Sequence, residues 1–319
     1  MRLCRFQTDD LTLVGFFENG RVIPIQGALE SYVDETGMDL WIEPSPDLLD
    51  YLPPDGASLG AIRTLHDWVV EKEKSDGAGL GIPHDRIRLL APIQAPPKIL
   101  LLAGNYAAHV VERGGTPAER RLTFPYVFMK PATTINHPGD PIRIPRVSPD
   151  HIDWECELAV IIGRRCRGVA EAEAMDYVAG YTIINDISDR KFTPNPDRKP
   201  RERDKFFDWL HGKWHDTFLP MGPCVVPSDY LGDPQDLKLT LTVNGEVKQA
   251  ASTGQMIFPI AAIIEFVSRF VTLEPGDLIA TGTPAGVGSA TETYLEPGDV
   301  VEATISGIGT LKNTVEAEE

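Results

Sequence analysis

Long apolar runs, paired cysteines and an excess of cations are all missing from this chain of 319 residues, and each absence removes a class of function. Its longest apolar stretches, such as Ile99 to Ala103, fall far short of the roughly 20 residues that span a bilayer, so no membrane partner is expected. The opening Met1 to Asp10 holds no apolar export core, and a cytoplasmic location is the expectation. Cys4, Cys156, Cys166 and Cys224 are scattered without a C-x-x-C pair, which argues against both a zinc knuckle and a disulfide framework. Thirty Lys and Arg against 47 Asp and Glu leave a net charge of −17, a field that repels a phosphate backbone and excludes nucleic acid.

Several catalytic signatures are missing too. Gly286-Val287-Gly288 lacks the third glycine and the strand-turn-helix setting of a dinucleotide site, and the segment Thr281 to Ser289 has no phosphate-loop lysine. No G-x-S-x-G or H-E-x-x-H occurs.

What remains is a chain with 42% hydrophobic residues, enough to bury a core unaided. Residues 1–90 read as a small α+β domain, with a hairpin at Asn19-Gly20 and a helix from Ser58 to Lys74 whose Leu59, Ile62, Leu65 and Val69 form a core stripe, stopped by Ser75 to Gly79. Ala91 to Pro97 is a stiff connector, and residues 91–319 form the second domain.

Short strands bounded by Gly, Pro or Asp dominate that domain: Ile99 to Ala103, Tyr126 to Lys130, Trp154 to Ile162, Tyr181 to Ile187, Leu237 to Val243, Leu278 to Thr281 and Val300 to Ile305. A second hairpin is expected at Asn244-Gly245. Leu-Glu-Pro-Gly-Asp, at 273–277 and 295–299, reads as two turns. Helices are expected over Glu171 to Val178, stopped by Gly180, and over Pro259 to Phe270 with a stripe of Ile260, Ile263, Ile264, Val267 and Phe270. The fold class is therefore α+β, mainly β.

The stretch Asp153 to Ile162 carries the chemistry. Along a strand, Trp154, Cys156, Leu158, Val160 and Ile162 share one face and Glu155 and Glu157 the other, their Cα atoms about 6.5–7 Å apart. Both carboxylates can converge on one cation, with Asp186 at the end of the next apolar strand as a third ligand. Such an all-oxygen set favours Mg²⁺, Mn²⁺ or Ca²⁺ over zinc. The same two glutamates also fit the wet face of an antiparallel strand.

After Ile99 to Ala103, Asn105 can cap a short helix that Gly114 ends. His109 and Glu112 then share one helical face, where a carboxylate fixes the imidazole tautomer and raises its basicity, so that the pair can activate water; a surface pair is the plainer alternative. Lys130, Arg190 and Lys213 are candidate cations for an acidic substrate, and Arg190 to Lys205 is a basic island that also fits a solvated loop. Cys156 and Cys224 read as packing residues.

Several segments then occur in a telling order over residues 98–314: Gly104-Asn105-Tyr106 with His109 and Glu112; Phe128-Met129-Lys130-Pro131; Asp153 to Gly163; Val178 to Tyr181 with Asn185 to Ser188; Gly212-Lys213 with Asp216 to Phe218; Pro220 to Pro223; Val243 to Glu246; and Thr281 to Gly288. Together they resemble the fumarylacetoacetate hydrolase family. The resemblance implies a mixed β-roll or β-sandwich catalytic domain behind a smaller N-terminal domain, usually a homodimer, with Mg²⁺ or a similar ion on Glu155, Glu157 and Asp186. It also implies a lid helix carrying His109 and Glu112, and a pocket lined by Lys130, Arg190, Lys213, Thr283 and Tyr106. One departure stands out: where compact members carry a glutamine after the position of Arg190, this chain has Lys191-Phe192-Thr193-Pro194 and a longer basic, aromatic loop.

The expected activity is metal-dependent hydrolysis of a carbon-carbon bond in a 2,4-dioxo acid of the acylpyruvate or fumarylacetoacetate kind, from aromatic or sugar-acid catabolism. His109 and Glu112 would activate water, and Lys213 would stabilise the oxyanion. The alternative is an isomerase, decarboxylase or hydratase of 2-oxo or 2-hydroxydienoic acids, like a 5-carboxymethyl-2-hydroxymuconate isomerase.

Overall fold

The computed structural model describes residues 1–8, 11–76 and 81–319, and in it the chain is α+β and mainly β. Both Asn-Gly hairpins form. Asn19 and Gly20 take left-handed φ angles of 49° and 74°, and Asn244 and Gly245 take 52° and 80°, as a two-residue turn between right-twisted strands requires. The Leu-Glu-Pro-Gly-Asp segments are turns of one design: the carboxylate of Asp277 or Asp299 accepts from the backbone N–H of Glu274 or Glu296.

A sheet of 12 strands carries the site, and its central order is Leu3–Thr8, Leu219–Pro227, Val178–Asn185, Cys156–Ile162, Leu278–Ala280, Ile99–Ala103 and Tyr126–Met129. Leu3 pairs with Val225, so one sheet runs across the expected boundary at residues 90 and 91. A second sheet of five strands packs around Lys238–Val243 and Val300–Ile305.

The strand Cys156–Ile162 has no wet face. Cys156, Leu158, Val160 and Ile162 enter one apolar cluster, Ala159 and Ile161 enter another, and all seven residues are buried. Two-sided burial of this kind makes the plain reading of Glu155 and Glu157 as solvated decoration untenable: they are 5% and 1% exposed. Burying such groups without partners costs several kcal/mol each.

Some local expectations are corrected. The strand begins at Cys156, not at Trp154. Glu171–Tyr177 is a 3-10 helix, and Gly180 does not stop it; it lies inside the strand Val178–Asn185, where a Cβ would meet the Val226 carbonyl oxygen at 2.4 Å. The helix Ile260–Ser268 buries Ile260, Ile263, Ile264 and Val267, but Phe270 lies beyond its end and is exposed. In the N-terminal helix Leu59–Asp76, Ile62, Leu65 and Val69 are fully buried and Leu59 half-buried; Gly77 to Gly79, expected to help end it, lie outside the described residues. All four cysteines are free and buried, and burial raises every thiol pKa, consistent with packing in place of nucleophilic chemistry. Among the described residues no helix is long and apolar enough to cross a membrane.

Candidate active site

At the end of the central strands, carboxylate oxygens of Glu155, Glu157 and Asp186 lie within 4.8 Å of one another. Antiparallel pairing creates this meeting: Cys156 faces Asn185, so the residues just outside the pair, Glu155 and Asp186, come together, and the Asp186 N–H donates to the Glu155 carbonyl at 2.8 Å.

Three cations hold the cluster. The Lys213 ammonium donates to Glu155 Oε2 at 2.7 Å and Asp186 Oδ2 at 2.5 Å, and it sits 5.4 Å from the centre of the Phe128 ring. Arg190 donates to Glu155 Oε1 at 2.6 Å and Asp153 Oδ2 at 2.7 Å. Lys130 donates to Asp186 Oδ1, the Ile187 carbonyl and the Phe218 carbonyl at 2.6, 3.0 and 2.7 Å. An ammonium has three protons, so Lys130 has none left for a ligand. It lies beneath the cavity as the anchor of Asp186, which corrects its expected place in the pocket lining.

The two glutamates differ sharply. Burial favours the neutral form of Glu155, but Lys213, Arg190 and His109 outweigh it and hold the carboxyl well below the usual range. Glu157 is pushed well above that range by burial and then by Asp186 and Glu155. One of its oxygens accepts from the Gly282 N–H at 2.7 Å; the other, Oε1, is buried without a partner. Of the four buried carboxylates, counting Asp153, the three cations pair with Glu155, Asp186 and Asp153, and none contacts Glu157. Every engaged oxygen of Glu155 and Asp186 keeps a second lone pair. This donor set fits a hard divalent cation, held by Glu155, Glu157 and Asp186.

The glycine-rich segment Thr281 to Gly288, which lacks the features of a phosphate loop, here organises carboxylates. Its N–H groups serve Glu157 from Gly282, Glu112 from Gly286 at 2.8 Å and Asp153 from Gly288 at 2.6 Å. Gly282 has φ +89°, and a Cβ there would meet Asn105 Cβ at 2.9 Å; at Gly286, with φ +102°, a Cβ would fall 2.0 Å from the Lys248 carbonyl oxygen.

Above the cluster, His109 and Glu112 ride the helix Ala107–Glu112. Asn105 does not cap it. That side chain is buried, donating to the carbonyls of Phe258 and Thr281 and accepting from the Phe258 N–H, so Tyr106 occupies the cap position without a side-chain bond. His109 Nδ1 lies 2.7 Å from Glu112 Oε1, and the other Glu112 oxygen accepts from Gly286. An ionised carboxylate only accepts, so Nδ1 is the donor in this pair, and in the neutral tautomer Nε2 is left as the acceptor.

A cavity of about 300 Å³ joins these parts, lined by His109, Glu155, Arg190, Lys213 and Thr283 among the expected residues. Thr283 Oγ1 is already engaged, donating to the Cys156 carbonyl at 3.0 Å and accepting from Gln249 at 2.8 Å. Tyr106 is buried outside the lining, and its hydroxyl has no partner among the described residues. Sequence reasoning missed Asp153, although the strand alternation extends to it from Glu155, and it missed Arg113 on the cavity wall, where no local pattern marks it; Trp209, which the aromatic character of the loop after Arg190 offers as a wall, does line the cavity.

Comparison with known proteins agrees with this geometry. Residues 98–316 match the family model described as fumarylacetoacetate (FAA) hydrolase C-terminal, and the chain belongs to that family. It is 41% identical to an oxaloacetate tautomerase of Xenopus laevis over 236 residues, 73% of this chain and 70% of the relative. It is 40% identical to a 2,4-didehydro-3-deoxy-L-rhamnonate hydrolase of a Sphingomonas species over 245 residues, 76% of this chain and 81% of the relative. Among solved structures it is similar to a maleylpyruvate hydrolase from Sphingobium sp. SYK-6 in complex with manganese(II) and pyruvate, with 28% identity, a TM-score of 0.67 and full coverage of both chains. Family members thus include hydrolases and tautomerases.

Proposed function

We propose that this chain is a divalent-metal-dependent enzyme that hydrolyses a carbon-carbon bond in a 2,4-dioxo acid. The observation that carries the reading is the unpartnered Oε1 of Glu157 beside Glu155 and Asp186, with Glu155 and the oriented His109 lining one cavity. A cation such as Mg²⁺ or Mn²⁺, held by Glu155, Glu157 and Asp186, would supply Lewis-acid polarisation of the 2-oxo acid end of the substrate.

The chain's own groups account for the rest. His109 Nε2 takes a proton from water as the water oxygen attacks the distal carbonyl, and Glu112 stabilises the imidazolium through Nδ1. Lys213 is buried, which favours loss of its proton, but Asp186 and Glu155 outweigh this and hold its pKa above the usual range, so it stays an ammonium. It stabilises the oxyanion, worth roughly 3–4 kcal/mol by analogy with other oxyanion donors. As the tetrahedral adduct collapses, the carbon-carbon bond breaks and its electron pair stays with the pyruvate fragment, which recovers a proton from His109.

A second reading is isomerisation or tautomerisation, with decarboxylation and hydration as further outcomes. It draws on the 41% identity to an oxaloacetate tautomerase and on the same His109–Glu112 pair, which can shuttle a proton between carbon and oxygen without water. The reading also includes a homodimer and a two-domain division at residues 90 and 91, both favoured by the family resemblance. Incubating a panel of 2-oxo acids with Mg²⁺ and weighing the products separates the outcomes: fragmentation with gain of water is expected. Unchanged mass with a shifted double bond overturns hydrolysis in favour of isomerisation, and loss of CO₂ in favour of decarboxylation.

A further inference from the structure

Arg113 follows Glu112 directly, at the end of the His109 helix, and lines the cavity with Arg190 and Lys213. A tight turn holds it there: the Gly114 and Gly115 N–H groups return to the carbonyls of Val111 and Val110, both at 2.9 Å, with Gly114 at φ +76°. Solvent reaches Arg113, whereas Arg190 and Lys213 are buried, so Arg113 marks the outer rim of the cavity.

Its guanidinium has no acceptor among the described residues, and the carboxylates nearby are already engaged. Both oxygens of Glu112 serve His109 and Gly286. Glu155 serves Arg190 and Lys213. Asp153 serves Arg190, Trp154, Gly288 and Ser289. Arg113 and Arg190 line the same cavity, and burial and then the Arg190 cation pull the Arg113 pKa down. Arg190 itself has a buried Nη1 without a partner. The lining also includes apolar Phe128, Trp209 and Val110. An unmatched guanidinium at the solvent side of a cavity with such a lining is a site for an anion that the protein does not supply.

We propose that Arg113 is a specificity-determining residue that binds a second carboxylate at the distal end of the substrate, so that the enzyme selects 2-oxo dicarboxylic acids over monocarboxylic ones. The proposal rests on the 2-oxo acid reading and deepens it. Family membership does not decide the point, because the relatives named above act on acids with and without a second carboxylate.

A matched pair tests it: 2-oxoglutarate and 2-oxopentanoate have the same five-carbon chain, differ at the far end, and contain no 4-oxo group to be cleaved. Their affinities are measured by calorimetry with Mg²⁺ on the full chain and on Arg113→Met and Arg113→Lys, with melting curves confirming the fold. The unaltered protein is expected to prefer the diacid by roughly 10- to 100-fold, the increment of a charge-assisted hydrogen bond. Arg113→Met removes that preference while leaving 2-oxopentanoate unchanged, and Arg113→Lys keeps part of it. Equal losses for both acids, or a preference that survives Arg113→Met, overturn the assignment while the 2-oxo acid reading stands. Binding of neither acid by the unaltered protein overturns both.

Discussion

The floor and the rim of the cavity are built by different means. The floor is Glu155, Arg190 and Lys213 together with the groups bonded behind them, Glu157, Asp186 and Lys130. Its members come from strands and loops far apart in sequence, they are buried, and every carboxylate oxygen but Glu157 Oε1 is hydrogen-bonded. The rim is His109 and Glu112 on a helix of six residues, Arg113 just past its end, and Trp209 on a helix of eight. Helices this short have no stability alone, and the His109 helix is tied down chiefly by the Glu112–Gly286 bond and a bridge from Tyr106 to Met256. Substitution of an ion-paired floor residue therefore strikes folding and chemistry together, whereas substitution at the rim changes catalysis or choice of substrate and leaves the fold intact.

The largest effects should appear within the floor and should differ between its carboxylates. Asp186→Ala leaves Lys130 and Lys213 buried beside a missing charge, and breaking a buried pair in this way costs about 3–5 kcal/mol. Glu157→Ala removes a carboxylate that no cation contacts, so its melting temperature should be unchanged or higher. Both variants should lose divalent-cation binding and, with it, turnover. Calorimetry with Mg²⁺ and a thermal melt check this pair; a Glu157→Ala protein as unstable as Asp186→Ala would mean that the two carboxylates are not electrostatically distinct.

Next in size is His109→Asn, expected to lower kcat by roughly 10²–10⁴, the usual contribution of a general base, with Glu112→Gln lowering it less. Cation affinity should hold in both. If it falls in step with kcat, floor and rim are one unit and the comparison fails.

Most of the floor was legible in the sequence because strand alternation has a period of two: Glu155 and Glu157 had to share a face, and a lone Asp186 at the end of an apolar strand had to answer for its position. The helical spacing of His109 and Glu112 was legible for the same kind of reason. What sequence could not show was long-range satisfaction of polar groups. Lys130 reads as a pocket cation until its three protons are traced to Asp186, Ile187 and Phe218. Asn105 reads as a cap until Phe258 and Thr281 claim its amide. The glycines of Thr281 to Gly288 read as turn residues, because which carboxylate an N–H meets depends on chain more than a hundred residues away.

The smallest effect concerns the basic island after Arg190, whose charge points to a second anion site. The structure neutralises much of that charge locally: Arg198 pairs with Asp204 and Asp208, and Arg201, with its side chain 79% exposed, pairs with Asp204. The segment reaches the cavity through Trp209, packed edge-on against Phe128 with ring centres 5.0 Å apart. Its contribution is a wall, and a wall contacts ground state and transition state alike. Trp209→Leu should therefore raise KM by about 3- to 10-fold with kcat kept, the scale of one lost aromatic contact. Arg201→Gln should change KM less than about 2-fold, because an exposed ion pair contributes at most about 1 kcal/mol and often nothing measurable. Steady-state kinetics on one anionic and one neutral substrate decide between them. A selective rise in KM for the anionic substrate in Arg201→Gln would give the role of anion selector to the loop and weaken the case for Arg113 at the rim.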